Sequence, residues 1–126
     1  MAVRVVRVVR GVRGATSVGA NDPSAIEEAV RELLGRLVSE NQVALEEVAA
    51  AFFTSTPDLD ADFPARAARQ MGWGGVPLMC AQEIEVPGAP ARIVRVLLLV
   101  NTALAQKDVR HVYLGEAARL RPDLAK

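Results

Sequence analysis

Histidine and cysteine are nearly missing from this chain: each occurs once, as His111 and Cys80. A single cysteine excludes an internal disulfide and fits a reducing compartment. One histidine and one thiol do not make up a familiar zinc set, so no metal and no cofactor are expected. A Cys80–His111 nucleophilic pair stays open on paper, although Cys80 within Pro77-Leu78-Met79-Cys80 also reads as a small buried hydrophobe. Aromatic residues make up only 4% of the chain and offer no stacking platform for single-stranded nucleic acid. Formal net charge is zero, which leaves no global field to hold nucleic acid or an anionic membrane. No segment approaches the roughly 20 apolar residues of a membrane span, and the N-terminal alternation of Val and Arg lacks the apolar core of a signal peptide. The glycines form neither a phosphate loop nor a dinucleotide fingerprint. The expectation is a cytoplasmic protein with no nucleic-acid or membrane partner.

What is present is apolar. The hydrophobic fraction is 51% over 126 residues and mean hydropathy is +0.19, so some apolar surface is expected to lie between subunits. The length suggests one domain. Lysine is confined to Lys107 and Lys126, and every other basic residue is arginine. Genomic base composition accounts for such a bias but not for where individual arginines sit.

Alternation from Val3 to Ala15 reads as a strand beginning near Val8, with Arg4, Arg7, Arg10 and Arg13 at every third position. Residues 1–9 read as an N-terminal extension to a domain spanning 10–126. Asp22-Pro23 opens an amphipathic helix to about Glu40, with Ile26, Val30, Leu33, Leu34 and Leu37 on one face. A helical turn is expected at Leu45 to Val48, and a strand from Ala49 to Thr54. A short Ala-rich helix runs from Pro64 to near Gly72. A third strand is expected from Val76 to Cys80, with Glu83 to Val86 as a possible continuation, and a fourth from Ala91 to Asn101. The stretch Gln106 to Leu114 reads as a tight turn followed by a strand. The fold class is therefore α/β (α+β): a single domain with a mixed sheet covered by one long amphipathic helix, its other face left for a partner subunit.

Arg95 lies inside the aliphatic run Ile93 to Val100, which reads as a strand with both faces covered. A guanidinium cannot shed its proton, and unpaired in a dry interior it would be very costly. Either an internal carboxylate meets it or the site is kept for an anionic ligand. Glu83 is a partner for Arg95 or a ligand group in its own right. Arg13, Arg66, Arg69, Arg110 and Arg121 fall near strand or helix ends, where surface solvation and ion pairing are the ordinary roles. Tyr113, the only tyrosine, reads most simply as a core residue with a satisfied hydroxyl. Several arginines, one glutamate and no obvious acid–base pair suit a small polyanion, or a reaction driven by electrostatic preorganisation alone.

Arg10-Gly11-Val12-Arg13-Gly14-Ala15-Thr16 resembles the opening motif of the monofunctional bacterial chorismate mutases of the trimeric α/β type. So do Thr56-Pro57-Asp58-Leu59 with Phe63-Pro64-Ala65, Val76-Pro77 with Cys80-Ala81-Gln82-Glu83, Arg95 at the family's spacing, Arg110-His111-Val112-Tyr113-Leu114, and Leu120-Arg121-Pro122-Asp123-Leu124. The likeness runs from about Arg10 to Leu124. It implies a homotrimer, a pseudo-barrel assembly with active sites between neighbouring subunits. It also implies the Claisen rearrangement of chorismate to prephenate, in phenylalanine and tyrosine biosynthesis. By resemblance, Arg95 sits beside the ether oxygen, Arg13 holds a carboxylate, Glu83 accepts from the ring hydroxyl, and Tyr113 binds the side-chain carboxylate. The backbone of Met79, Cys80, Ala81, Gln82 and Glu83 forms one wall. Phe63, Ala65, Arg66, Arg69 and Leu120 line the cleft, the first four from the neighbour, and Arg121 helps to close it. Met79 stands where the family often has a small hydroxyl residue, and Arg66 keeps the charge of a frequent lysine. The alternatives are a trimeric carboxylate-binding or regulatory protein, and an imine or enamine hydrolase of similar fold.

Overall fold

A computed structural model describes residues 6–124. Arg4, the first residues of the proposed extension and the end of the chain lie outside the described residues. The described residues form a five-stranded mixed sheet with two α-helices: β1 (Val8–Ser17), α1 (Pro23–Asn41), β2 (Val48–Ser55), α2 (Pro64–Gln70), β3 (Leu78–Gln82), β4 (Ile93–Thr102) and β5 (Val112–Tyr113). Strand order is β3-β2-β4-β1-β5. The central strand β4 runs antiparallel to β1 and β2, while the edges β3 and β5 pair in parallel with β2 and β1. Among the described residues, three short 3-10 turns fill connections and a fourth, Gly115–Arg119, follows β5. No helix among the described residues is long and apolar enough to cross a membrane.

The Asp22 side chain accepts from the Ala25 amide at 2.8 Å, and Pro23 occupies the first helical turn, so α1 starts where cap chemistry directs. Ile26, Val30, Leu33, Leu34 and Leu37 of α1 are buried against the sheet. Truncating any one of the leucines would cost about 2–5 kcal/mol. Gly14 in β1 permits this approach: a Cβ there would lie 2.7 Å from Leu37 Cδ1. The covering layer is shared, since the seven-residue α2 packs against α1 and the β2–β3 side.

Three strand expectations shift. Val76 is taken up by the turn Trp73–Gly75, so β3 starts at Leu78. Glu83 makes the last bond to β2, its N–H donating to Ser55 O at 2.9 Å. Thr56 N–H then bonds Ile93 O, so the stretch from Glu83 to Val86 finds no strand to extend. Arg92 has φ 53°, a left-handed break that delays β4 to Ile93.

Candidate active site

The expectation of a strand covered on both faces is corrected in β4. Val94, Val96, Leu98 and Val100 are buried, whereas Arg95 and Leu97 are exposed. The Arg95 side chain is 45% exposed, so the single chain does not hold it in a dry interior. The aliphatic character of both alternations reflects one face under α1 and a second face that the chain itself leaves open.

Strand register places the key side chains on that open face. Directly opposed residues share a face, and one row crosses the sheet as Ala81, Thr54, Arg95, Ala15 and Tyr113. The neighbouring row carries Met79, Phe52, Leu97 and Arg13. With strands about 4.8 Å apart, Tyr113 lies two strands, roughly 10 Å, from Arg95. The turn Gly115–Arg119 covers one end of this face, where Ala15, Ile93 and Ala117 form a small second core with Tyr113 and Leu120 packed on it.

Arg95 meets an internal carboxylate. Its Nε donates to Glu83 Oε2 at 3.1 Å, and Thr54 Oγ1 donates to the same oxygen at 2.7 Å. The Glu83 side chain is only 16% exposed. Among the described residues, Glu83 Oε1 and the two Nη groups of Arg95 make no hydrogen bond, so both remain available to a ligand. The glutamate fixes the Nε side of the guanidinium and leaves the forked Nη side free. Thr54 escaped the sequence reading, although period-two alternation from Phe52 would have put it on this face.

A second cluster forms at the β1–β5 edge. The Arg13 main-chain N–H donates to His111 Nδ1 at 2.9 Å. Arg121 binds Asp123 through two parallel bonds, Nε to Oδ1 at 3.0 Å and Nη2 to Oδ2 at 2.8 Å, which hold the Asp123 carboxyl below its ordinary range. Burial, followed by the charges of Arg13 and Arg121, pushes the His111 pKa below its ordinary 6.5.

Other candidate residues lie elsewhere. Cys80 opposes Phe53, which is buried in the core, so the thiol faces the covered side, away from Arg95. The Cys80–His111 pair is not formed, because β3 and β5 are opposite edges of the sheet. Phe63 is 64% exposed just before α2. Ala65 is buried in the main core. Arg66 pairs with Asp62 at 3.0 Å, and Arg69 is exposed. Since α2 packs on α1 and the β2–β3 side, one chain does not bring Phe63, Arg66 and Arg69 to Arg95. Gln82 ends β3 exposed. One cleft of about 610 Å³ lies between the end of α1, residues 104–114 and Asp123-Leu124, and another of about 320 Å³ lies between α1 and α2. Neither is lined by Arg95 or Glu83.

Comparison with known proteins bears on this open, arginine-bearing face. The family model described as chorismate mutase type I matches residues 9–124. The chain is 53% identical over 112 residues to "Chorismate mutase AroH" of Thermus thermophilus, covering 88% of this chain and 92% of that protein. It is 40% identical over 113 residues to "Chorismate mutase AroH" of Bacillus subtilis (strain 168), covering 89% of each. A solved structure of chorismate mutase from Clostridium thermocellum superposes with a TM-score of 0.85 at 42% identity, covering 86% of this chain and 97% of that one.

Proposed function

The chain belongs to the chorismate mutase type I family, and from that premise we propose how its own residues carry the conversion of chorismate to prephenate. The reaction is an intramolecular Claisen rearrangement: an ether carbon–oxygen bond breaks while a carbon–carbon bond forms. The protein must hold the compact diaxial conformer and match a polarised transition state. The rearrangement itself calls for neither a nucleophile nor a metal.

One observation carries the assignment of roles: Arg95 is held at Nε by Glu83, with its Nη groups unengaged by any described residue on the open face. In our reading those groups point at the ether oxygen and stabilise the negative charge that grows there. Glu83, fixed by Thr54, uses its free oxygen to accept from the ring hydroxyl and to offset positive charge on the ring. Arg13 and Tyr113 take the two carboxylates, for which paired hydrogen bonds from a guanidinium are well suited. Main chain from Met79 to Gln82 forms the wall beside Glu83, and Arg121 with Leu120 closes the mouth.

Such a site is incomplete in one chain. We assign a homotrimer in which a neighbour's Phe63, Ala65, Arg66 and Arg69 complete each cleft, Ala65 through its main chain. Phe52, Leu97 and Met79 on the open face are exposed apolar side chains that a second copy would cover. Residues 10–126 form the catalytic domain, residues 1–9 an extension to it, and the enzyme works in the cytoplasm within phenylalanine and tyrosine biosynthesis.

Loss of chorismate's ultraviolet absorbance on adding purified protein tests the assignment. Arg95→Gln should lower kcat by at least about a hundredfold with circular dichroism unchanged. Near-normal turnover by that variant would refute the role given to Arg95.

A further inference from the structure

The connection into β5 carries the lone imidazole of the chain, and its contact is with the main chain of an arginine. In the β1–β5 ladder only Gly14–Val112 and Ala15–Tyr113 are paired. Leu114 N–H bonds Ala15 O at 2.9 Å on the β5 side. Main-chain groups two residues apart point to the same edge of a strand, so the Arg13 N–H also faces β5, one step before the ladder begins. His111 Nδ1 supplies the acceptor there, at 2.9 Å. On the other flank, Gly14 is packed so closely under Leu37 and Leu33 that even a methyl group would collide. The backbone from which the Arg13 side chain leaves β1 is thereby held from two directions.

Resting on the reading of Arg13 as a carboxylate-binding residue, we propose that His111 is a positioning residue: its neutral imidazole locks the Arg13 main chain and so aims the guanidinium at the substrate. An imidazole accepts at Nδ1 only when that nitrogen is unprotonated, which fixes the Nε2–H tautomer. Protonation would replace the acceptor with a donor facing another donor. It would also add a cation beside Arg13 of β1 and Arg121 of the C-terminal segment, both of which already disfavour the charged ring. Of the acidic groups in the same cleft, Asp123 is bound to Arg121 and Glu40 of α1 to Arg36, while Asp108 of the turn before β5 makes no side-chain bond among the described residues. Arg36, Lys107, Arg110 and Tyr113 line the same cleft as the ring.

His111→Asn and His111→Ala separate an acceptor from mere bulk, because an asparagine Oδ1 falls close to the position of imidazole Nδ1. His111→Ala should raise KM for chorismate by roughly tenfold, the size expected for losing one ordering hydrogen bond, with a smaller change in kcat. His111→Asn should restore KM to within about twofold. As the only histidine, His111 gives a single imidazole signal in the NMR spectrum of the wild-type protein. That signal should report the Nε2–H tautomer at neutral pH, and kcat/KM should fall along its acid titration in wild type but not in His111→Asn. An unchanged KM in His111→Ala, an Asn variant as impaired as the Ala variant, or an Nδ1–H tautomer would overturn the proposal while leaving the mutase assignment intact. Absence of chorismate turnover in the wild-type protein would remove the assignment and the proposal together.

Discussion

Arg95 shows how far a single residue can be read without a structure. Its charge inside an aliphatic run announces a required anion, and Glu83 supplies one at 3.1 Å. What the run could not disclose is exposure, because the chain's own core covers only one of its two faces. The sequence singles out His111 only as a thiol partner, and its contact with Arg13 escaped for a different reason: the ring meets a main-chain amide, and no spacing rule relates residue 111 to residue 13. The same contact makes stability depend on pH. The folded protein holds the His111 pKa below the 6.5 of the free side chain, so between those values the unfolded chain binds more protons. Stability therefore rises with pH across that window. The contribution is complete above about pH 6.5 and is lost as pH falls through the lower, folded value. Urea unfolding from about pH 7.5 to about pH 5 should show wild type losing stability relative to His111→Asn as the solution is acidified. Parallel pH curves would show that the ring does not titrate as described.

Elements were legible where their signals are local. The helix α1 follows from Asp22, Pro23 and a regular apolar spacing, and its observed end at Asn41 lies one residue beyond the expected one. The edges of β3 and β4 were not legible, because distant partners set them. Thr56 draws Ile93 into pairing, and the Asp58 carboxylate accepts from Arg92 N–H at 3.0 Å to hold a left-handed backbone. Asn41 illustrates the same dependence at the other end of the fold. Its buried side chain donates to Leu37 O at 2.9 Å and Arg110 O at 2.8 Å, and accepts from Arg110 N–H at 2.8 Å. Asn41 thus ties the end of α1 to the segment that delivers His111 and Tyr113. Asn41→Ala should cost about 2–3 kcal/mol in urea unfolding, since it leaves Arg110 main-chain groups unpaired in a half-buried setting. It should also raise KM, because the β5 edge loses its anchor. A loss below about 0.5 kcal/mol would mean that water replaces these bonds without penalty.

At the scale of the whole molecule, the sheet presents a face it cannot cover alone. Phe52 and Leu97 are more than a third exposed at the middle of that face, and Met79 is 61% exposed beside them. Apolar side chains clustered this way on a central strand and its neighbour favour association over solvation. The arginines of α2 lie on the opposite side of the same chain, so a cleft that uses both sets requires at least two copies. In the proposed trimer, closed symmetry would satisfy this with one repeated contact, the open face of one chain against the α2 side of the next. Phe52→Glu separates assembly from folding, because Phe52 belongs to the open face while its neighbour Phe53 is the one buried in the core. A carboxylate placed at the centre of an apolar contact has no partner there, and its desolvation opposes association. Sedimentation should show wild type as a trimer and Phe52→Glu as a folded monomer. Turnover per chain should drop at least about a hundredfold with the loss of the neighbour's cations. Dilution of the wild-type protein should lower turnover per chain at the concentration where sedimentation detects dissociation. A monomeric Phe52→Glu variant that keeps its turnover would place the whole catalytic site in one chain and overturn the shared cleft.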